Sequence, residues 1–290
     1  AKRQHGGYKM TDIRKLQNGS DVRGIACAGI AGEDVNLTEE AGNLIGGGFI
    51  RWLADKKGKK TNELRIGIGH DSRITADSLF AAAAKGILAT GAKVYDCGLV
   101  STPSMFMTTV FDQFAFDGAI MITASHLPFN RNGYKFFDRD GGLEHDDITK
   151  ILETASELTV ADAGLSGVAK VDSISVYCEF LREKIKKSIQ AVDYDKPLAG
   201  LHIVVDTGNG AGGFFVDKVL NPLGADASGS QFLEPDGHFP NHIPNPENKQ
   251  AMEAIRQAVL TNKADLGIIF DTDVDRMSAV LPNGDEVNRD

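Results

Sequence analysis

Cysteine is scarce: Cys27, Cys97 and Cys178 are the only three in 290 residues. They are odd in number, far apart and without metal-like spacing, so they read as reduced, intracellular thiols rather than a disulfide framework. No apolar run approaches the roughly 20 residues of a membrane-spanning helix. Positive charge is short as well, with 31 Lys and Arg against 40 Asp and Glu and a net charge of −9. That balance argues against a nucleic-acid-binding surface, which needs clustered Lys and Arg, but leaves room for a local basic pocket. The first residue is Ala1 rather than Met. A removed targeting segment is compatible with that, so a cytoplasmic location and the stroma of a plastid or another reducing organelle matrix both stay open. The sequence carries no signature of oligomeric state.

What is present is ordinary for a soluble globular chain, 42% hydrophobic and 24% charged, and long enough for about two domains. Residues 1–10 are basic and polar and read as a loose arm; residues 16–25 carry Asn-Gly and Arg-Gly and read as a turn-rich loop. Thr38 caps a helix whose apolar positions recur to Trp52 and which ends near Lys57-Gly58. A strand over 64–69 delivers His70-Asp71-Ser72-Arg73 to a sheet edge, and Thr75 caps the next helix, 76–89. A strand over 93–97, a helix from Pro103 through Phe111 and a buried strand over 117–122 follow. This β-α-β-α-β order implies a largely parallel sheet covered on both faces. After a helix from 145, the small residues of 161–167 make the best linker. A helix over 173–189 precedes a restart of the pattern: strand 201–206, glycine-rich turn 207–213, helix 214–223, helix 248–260 and strand 265–270. The expected fold class is α/β, with two tandem three-layer domains, 1–165 and 166–290, and mixed, mostly parallel sheets.

Two stretches carry the chemistry. Thr123-Ala124-Ser125-His126 ends the buried strand and so stands at the carboxyl edge, where open α/β sheets bind ligands. The loop beyond it holds Pro128, Asn130, Asn132 and Gly133 and returns Arg131 and Lys135 past the hydroxyl. A serine among cations suits a phosphoryl group, although Ser125 and His126 taken alone serve equally as caps of a turn. The second stretch, Asp271-Thr272-Asp273-Val274-Asp275-Arg276, follows a buried strand, and its alternating acids can point to one side. Three such charges repel unless a cation neutralises them, and oxygen-only ligands favour Mg²⁺ or Ca²⁺; a solvated acidic turn is the lesser alternative, since a buried apolar strand feeding three acids is an unusual place for mere solubility. Arg276 adds a cation where a phosphoryl group would land. Elsewhere the readings stay double. Arg23 beside Gly24 presents a fork to an anion or pairs with Asp21. The Gly208/Gly210/Gly212 loop is a phosphate cradle or, more in keeping with its lack of a P-loop lysine, a tight strand-to-helix turn. Four prolines within 234–246 require an extended, ordered loop, and its His238 and His242 are too weakly placed for a zinc site.

Thr-Ala-Ser-His-x-Pro at 123–128 with Asn-Gly-x-Lys at 132–135, Asp-Val-Arg-Gly at 21–24, Pro-Asp-Gly-His-Phe-Pro-Asn-His at 235–242 and Asp-x-Asp-x-Asp-Arg at 271–276 together resemble the α-D-phosphohexomutases, the family of phosphoglucomutases and phosphomannomutases. The match runs in order along nearly the whole chain and corresponds to the first two of that family's four domains. The resemblance implies that Ser125 is a phosphoserine that exchanges its phosphoryl group with a hexose phosphate, and that its phosphate, Asp271, Asp273 and Asp275 hold Mg²⁺. Arg23, His126 and Lys135 would serve proton transfer and charge stabilisation, with Arg276 and Arg131 binding phosphate. The implied reaction interconverts hexose 1- and 6-phosphates, glucose favoured, through hexose 1,6-bisphosphate. The phosphorylated hexose is the partner expected; no nucleic acid or membrane is. Two departures stand out: Leu127 replaces a common Asn, and Thr272 and Val274 stand where small residues are common.

Without the substrate-reading domains, the 290 residues alone are expected to bind Mg²⁺ weakly and to lack useful turnover. One alternative is a shortened, non-catalytic binding or scaffold module that keeps the two domains. The other is a haloacid-dehalogenase-like phosphatase, with Asp271 as nucleophile after Ile268-Ile269-Phe270.

Overall fold

The computed structural model describes residues 12–287, and the arm expected over 1–10 lies outside them. Two α/β units follow one another. In the first, strands β1 (Gln17–Asn18), β2 (Asp21–Ile25), β3 (Arg65–His70), β4 (Lys93–Leu99), β5 (Gly118–Ile122), β6 (Arg131–Asp138), β7 (Gly141–Gly142) and β8 (Val168–Lys170) form one sheet. Its order is β1-β2-β6-β5-β3-β4-β8, with β7 on β6. The sheet is mixed, with parallel pairing from β5 through β3 and β4 to β8 and antiparallel pairing from β5 through β6 and β2 to β1. The second unit has β9 (Ile203–Asp206), β10 (Leu266–Phe270) and β11 (Met277–Val280) in the order β11-β10-β9. Helices are α1 (Glu39–Lys57), α2 (Ala76–Leu88), α3 (Thr102–Met107), α4 (His145–Ser156), α5 (Ser173–Ile189) and α6 (Lys249–Asn262). None among the described residues is long and apolar enough to cross a membrane.

Both sheets are covered on both faces, as alternation along the strands requires. In the first unit Ile66, Ile68, Ile120, Ile122, Tyr134 and Phe136 pack with α1, α2 and α4. The opposite face, with Cys97, Phe116, Ala119 and Met121, packs Met105 of α3 and Ile174 of α5. In the second unit Ile203, Val205, Ile268 and Phe270 face α5 and the helical segment around Val216–Leu220, whereas Val204 and Ile269 face α6. The glycines of α1 let helices approach closely: an added Cβ at Gly46 would stand 2.6 Å from the Ala83 carbonyl oxygen of α2, and at Gly48 2.7 Å from that of Ile151 in α4.

Several local expectations change. Residues 16–25 form a hairpin rather than an open loop: Asn18 pairs with Asp21 across Gly19-Ser20, with Gly19 at φ 62°, and buried Val22 pairs with Tyr134. Thr75 gives no side-chain cap to α2: its backbone, at φ −95° and ψ 8°, lies outside the extended region a capping residue takes, and its hydroxyl accepts from Asn132 Nδ2 at 2.9 Å. Helix α3 stops at Met107 instead of Phe111; the hydroxyls of Thr108 and Thr109 bond back to the carbonyls of Met105 and Phe106 and compete with the helical ladder. Strand β6 starts at Arg131, so Arg131 and Lys135 stand on a strand and not in the loop. Strand β8 pairs with β4 beyond residue 165, so the first sheet takes its last strand from past the expected boundary.

Candidate active site

Ser125 sits just past the end of β5, at the carboxyl edge of the first sheet. Its backbone lies in the left-handed region at φ 52°, a rare conformation for a residue with a side chain. The Ser125 amide donates to Thr123 Oγ1 at 3.0 Å, and its carbonyl accepts from Arg73 Nη2 at 2.6 Å. The hydroxyl is thereby turned out of the strand toward the second unit. Ser125 Oγ donates to Asp271 Oδ2 at 3.3 Å and accepts from Arg276 Nη2 at 3.3 Å.

His126 completes this corner. Its Nδ1 lies 2.7 Å from Arg276 Nη2 and 3.4 Å from Ser125 Oγ. A guanidinium can only donate, so Nδ1 is the acceptor and a neutral ring carries its proton on Nε2. Burial holds the imidazole below its usual pKa, and the charges of Arg276 and Arg23 add to this, so the neutral ring is the form present at neutral pH.

The three acids arrive on the loop after β10. Val274 at φ 62° reverses the chain, and the amides of Asp275 and Arg276 both donate to Asp271 Oδ1 at 3.1 Å. Arg276 Nε donates to Asp271 Oδ2 at 3.2 Å. The glycine-rich turn after β9 is the strand-to-helix turn, and it buttresses this loop. Ala211 N donates to Thr272 O at 2.9 Å, and a Cβ at Gly210 would stand 2.7 Å from that oxygen. One carboxylate oxygen from each of Asp271, Asp273 and Asp275 comes within 4.8 Å of the others. Burial, followed by the charges of Asp273 and Asp275, pushes Asp271 up to about 8. Burial also opposes the charge of Asp273, yet the Lys135 ammonium and hydrogen bonds from Thr102 and Lys135 hold its carboxyl below the ordinary range.

Lys135 Nζ reaches across from β6 to Asp273 Oδ2 at 3.0 Å and Asp275 Oδ2 at 2.8 Å, and these carboxylates keep it charged despite burial. Thr102 Oγ1 donates to Asp273 Oδ2 at 2.5 Å. The other oxygen, Asp273 Oδ1, is buried without a hydrogen-bond partner among the described residues. A buried orphan carboxylate oxygen among three clustered acids suits a hard divalent cation, so the donor set fits Mg²⁺.

The structure therefore gathers Ser125, His126, Lys135, Arg276 and the three acids at the junction of the two units. Arg23 is nearby on β2, opposite Gly133, but its Nη2 pairs with Asp21 at 3.0 Å while its Nε is buried without a partner among the described residues. Arg131 stands apart: its Nη2 binds Glu33 Oε1 at 2.8 Å. Neither histidine of the proline-rich loop belongs to the site. His242 is buried against Asp206 at 2.8 Å, and His238 is held by Asp236 at 3.0 Å. Sequence reading passed over Thr102, and it brought Arg73 to a sheet edge without giving it a role. The signals were there, in a Ser-Thr-Pro helix start and an Asp-x-Arg at a strand's carboxyl end, but which carbonyl or carboxylate each would meet depends on the fold.

Comparisons with known proteins identify what the chain as a whole is similar to. The domain family "Phosphoglucomutase/phosphomannomutase, alpha/beta/alpha domain I" matches residues 14–160, and its domain II counterpart matches residues 175–284. A phosphomannomutase of Escherichia coli is 34% identical over 259 residues, which cover 86% of this chain and 52% of that protein. A phosphoglucomutase of Neisseria meningitidis is 30% identical over 277 residues, 96% of this chain and 55% of that one. A phosphoglucosamine mutase of Bifidobacterium animalis is 33% identical over 268 residues, 90% and 56% of the respective chains. The crystal structure of a phosphoglucomutase/phosphomannomutase family protein from Burkholderia thailandensis superposes with a TM-score of 0.75 at 24% identity, covering 94% of this chain and 56% of that chain. The chain spans about half the length of the curated relatives it matches.

Proposed function

The chain belongs to the phosphoglucomutase/phosphomannomutase family, and from that premise we propose that it supplies the phosphoserine and the metal loop of a mutase interconverting hexose 1- and 6-phosphates through a hexose 1,6-bisphosphate. The observation that carries the reading is Ser125 Oγ, held in a left-handed turn within 3.3 Å of both Asp271 and Arg276. The names of the relatives span phosphomanno-, phosphogluco- and phosphoglucosamine mutases, so the substrate is assigned at the level of hexose phosphates.

Ser125, Asp271, Asp273 and Asp275 would hold Mg²⁺. Bound there, the ion would neutralise charge on the transferring phosphoryl group. When Ser125 accepts a phosphoryl group from the bisphosphate, Arg276 turns its Nη2 from His126 to the incoming phosphoryl oxygens, and the hydroxyl proton passes to the freed lone pair of His126 Nδ1, which is neutral and 3.4 Å away. The bond between Oγ and phosphorus forms, the bond from phosphorus to the sugar oxygen breaks, and the sugar oxygen takes up the proton. Phosphoryl donation to the other hydroxyl reverses these changes. Arg276, within 3.3 Å of Oγ, lies where it can donate to the phosphoryl oxygens throughout. Lys135 keeps a fixed positive charge beside the acids.

Incubating the chain with a hexose 1,6-bisphosphate and Mg²⁺ should place a phosphoryl group on Ser125, identified by peptide mass spectrometry, and Ser125→Ala should abolish it. Label that persists in Ser125→Ala, or that hydroxylamine releases as an acyl phosphate from Asp271, would refute the assignment.

A further inference from the structure

The turn after β3 has so far carried no function. Its Arg73 is 2% exposed, and both terminal nitrogens are used twice on one loop. Nη2 donates to Ser125 O at 2.6 Å and Leu127 O at 2.7 Å; Nη1 donates to Pro128 O at 2.8 Å and Arg131 O at 2.9 Å. Four N–H bonds from one planar group thus gather four carbonyls of the seven-residue stretch 125–131. Asp71 fixes the turn from behind. Its Oδ1 accepts from the Arg73 amide at 2.9 Å, and its Oδ2 accepts from Thr123 Oγ1 at 2.6 Å. The same Thr123 oxygen accepts from the Ser125 amide at 3.0 Å. Both peptide groups flanking the Ser125 Cα are therefore tied, directly or through one hydroxyl, to Asp71 and Arg73.

The second unit closes over this arrangement. The Phe239 ring lies 5.3 Å from the Arg73 guanidinium carbon. Gly237 packs so closely that an added Cβ would stand 2.5 Å from the Ile74 amide nitrogen. His238 stacks on Phe129 of the serine loop at 6.4 Å between ring centroids. The Pro-Asp-Gly-His-Phe-Pro stretch, which the proposed chemistry leaves without a task, covers the clamp.

We propose that Arg73 is a positioning residue for phosphoryl transfer at Ser125. By gathering the carbonyls of 125–131 it holds the left-handed serine backbone and aims Oγ at His126, Arg276 and Asp271. The proposal rests on the assignment of Ser125 above. A lysine keeps the charge opposite Asp71 but has three donors on one point and no planar fork, so it cannot hold four carbonyls.

The test compares the chain with Arg73→Lys by two measurements. One is amide hydrogen exchange over residues 123–134. The other is the rate at which Ser125 takes a phosphoryl group from hexose 1,6-bisphosphate with Mg²⁺, across a range of donor concentrations. Arg73→Lys should speed exchange within 125–131 while leaving α1 and β9 as they were. It should also slow Ser125 phosphorylation about 100-fold at saturating donor, with the half-saturating concentration moved by less than about threefold. An unchanged rate, an unchanged loop, or exchange rising equally throughout the chain would overturn the proposal, the last because it describes a packing role only. Should Arg73→Lys fail to fold, Phe239→Leu, which uncovers the guanidinium, gives the decision by the same two measurements: faster exchange confined to 125–131 with slower phosphorylation supports it, and no change overturns it. A wild-type chain that takes no phosphoryl group refutes the Ser125 assignment instead, and loop exchange still decides whether Arg73 holds the loop.

Discussion

Ser125 and Val274 both occupy left-handed backbone, at φ 52° and 62°, and both lie on the loops that form the candidate site. Such a conformation costs about 1–3 kcal/mol and persists only where surrounding contacts over-determine it. A β-branched residue rarely sits there, so the sequence could suggest a stiff acidic loop but not its reversal at Val274. The three acids and the serine were legible because their residue types and spacing are chemical. Thr102 was not, because its hydroxyl finds Asp273 across 171 positions of chain. Thr102 ties one Asp273 oxygen and leaves the other open, so Thr102→Val should weaken Mg²⁺ or Mn²⁺ binding by about 10–100-fold, as loss of a ligand's supporting hydrogen bond does. Titration calorimetry of the two proteins checks this, and equal isotherms would remove Thr102 from the account. His242 offers a pH-dependent case away from the acids. Its Nε2 faces Asp206 and its Nδ1 faces the Ile243 carbonyl, so the doubly protonated ring satisfies both. Burial opposes that charge, but the Asp206 hydrogen bond and charge outweigh it and raise the pKa. The stabilisation should therefore be full below about pH 6.5, the unfolded value, and be lost as pH rises through the higher folded value. Melting temperatures measured across that range should fall in the wild type, and His242→Gln should flatten that slope.

At the level of elements, most strands and helices were legible from period alone: α1 with its Thr38 cap and Gly58 terminus, β3, β4, β5 and β10. The misses share a cause. Strands β1, β7 and β8 are two or three residues long, too short for alternation to mark them, and β8 takes its partner β4 from distant sequence. The backbone of Thr75 and the side-chain bonds of Thr108 and Thr109 changed a cap and a helix end, which propensity does not foresee. Helix α1 gives the clearest energetic test. Replacing a mid-helix glycine with alanine normally stabilises by about 1 kcal/mol. At Gly46 the new methyl would meet the Ala83 carbonyl oxygen at 2.6 Å, a backbone atom that cannot rotate away. Gly46→Ala should instead destabilise by about 1–3 kcal/mol, the usual cost of overpacking. Denaturant unfolding measures the sign directly.

Across the whole molecule, the candidate site is assembled only where the two units meet. Ser125, His126, Lys135 and Thr102 come from the first, and Asp271, Asp273, Asp275 and Arg276 from the second. The sequence showed two α/β patterns in tandem with a break of small residues at 161–167, which suggested two bodies joined by a linker. Helix α5 changes that picture, because Ile174 packs both against the first unit's Cys97-Phe116 face and against the second unit's Val205-Phe270 face. Phe180 of the same helix meets Phe111 edge-on at 5.4 Å. Neither half can be released while this shared helix keeps both sets of contacts. The two units should accordingly melt as one cooperative block, with a single calorimetric transition whose measured enthalpy equals the van't Hoff value; two resolved transitions would show that each half stands by itself.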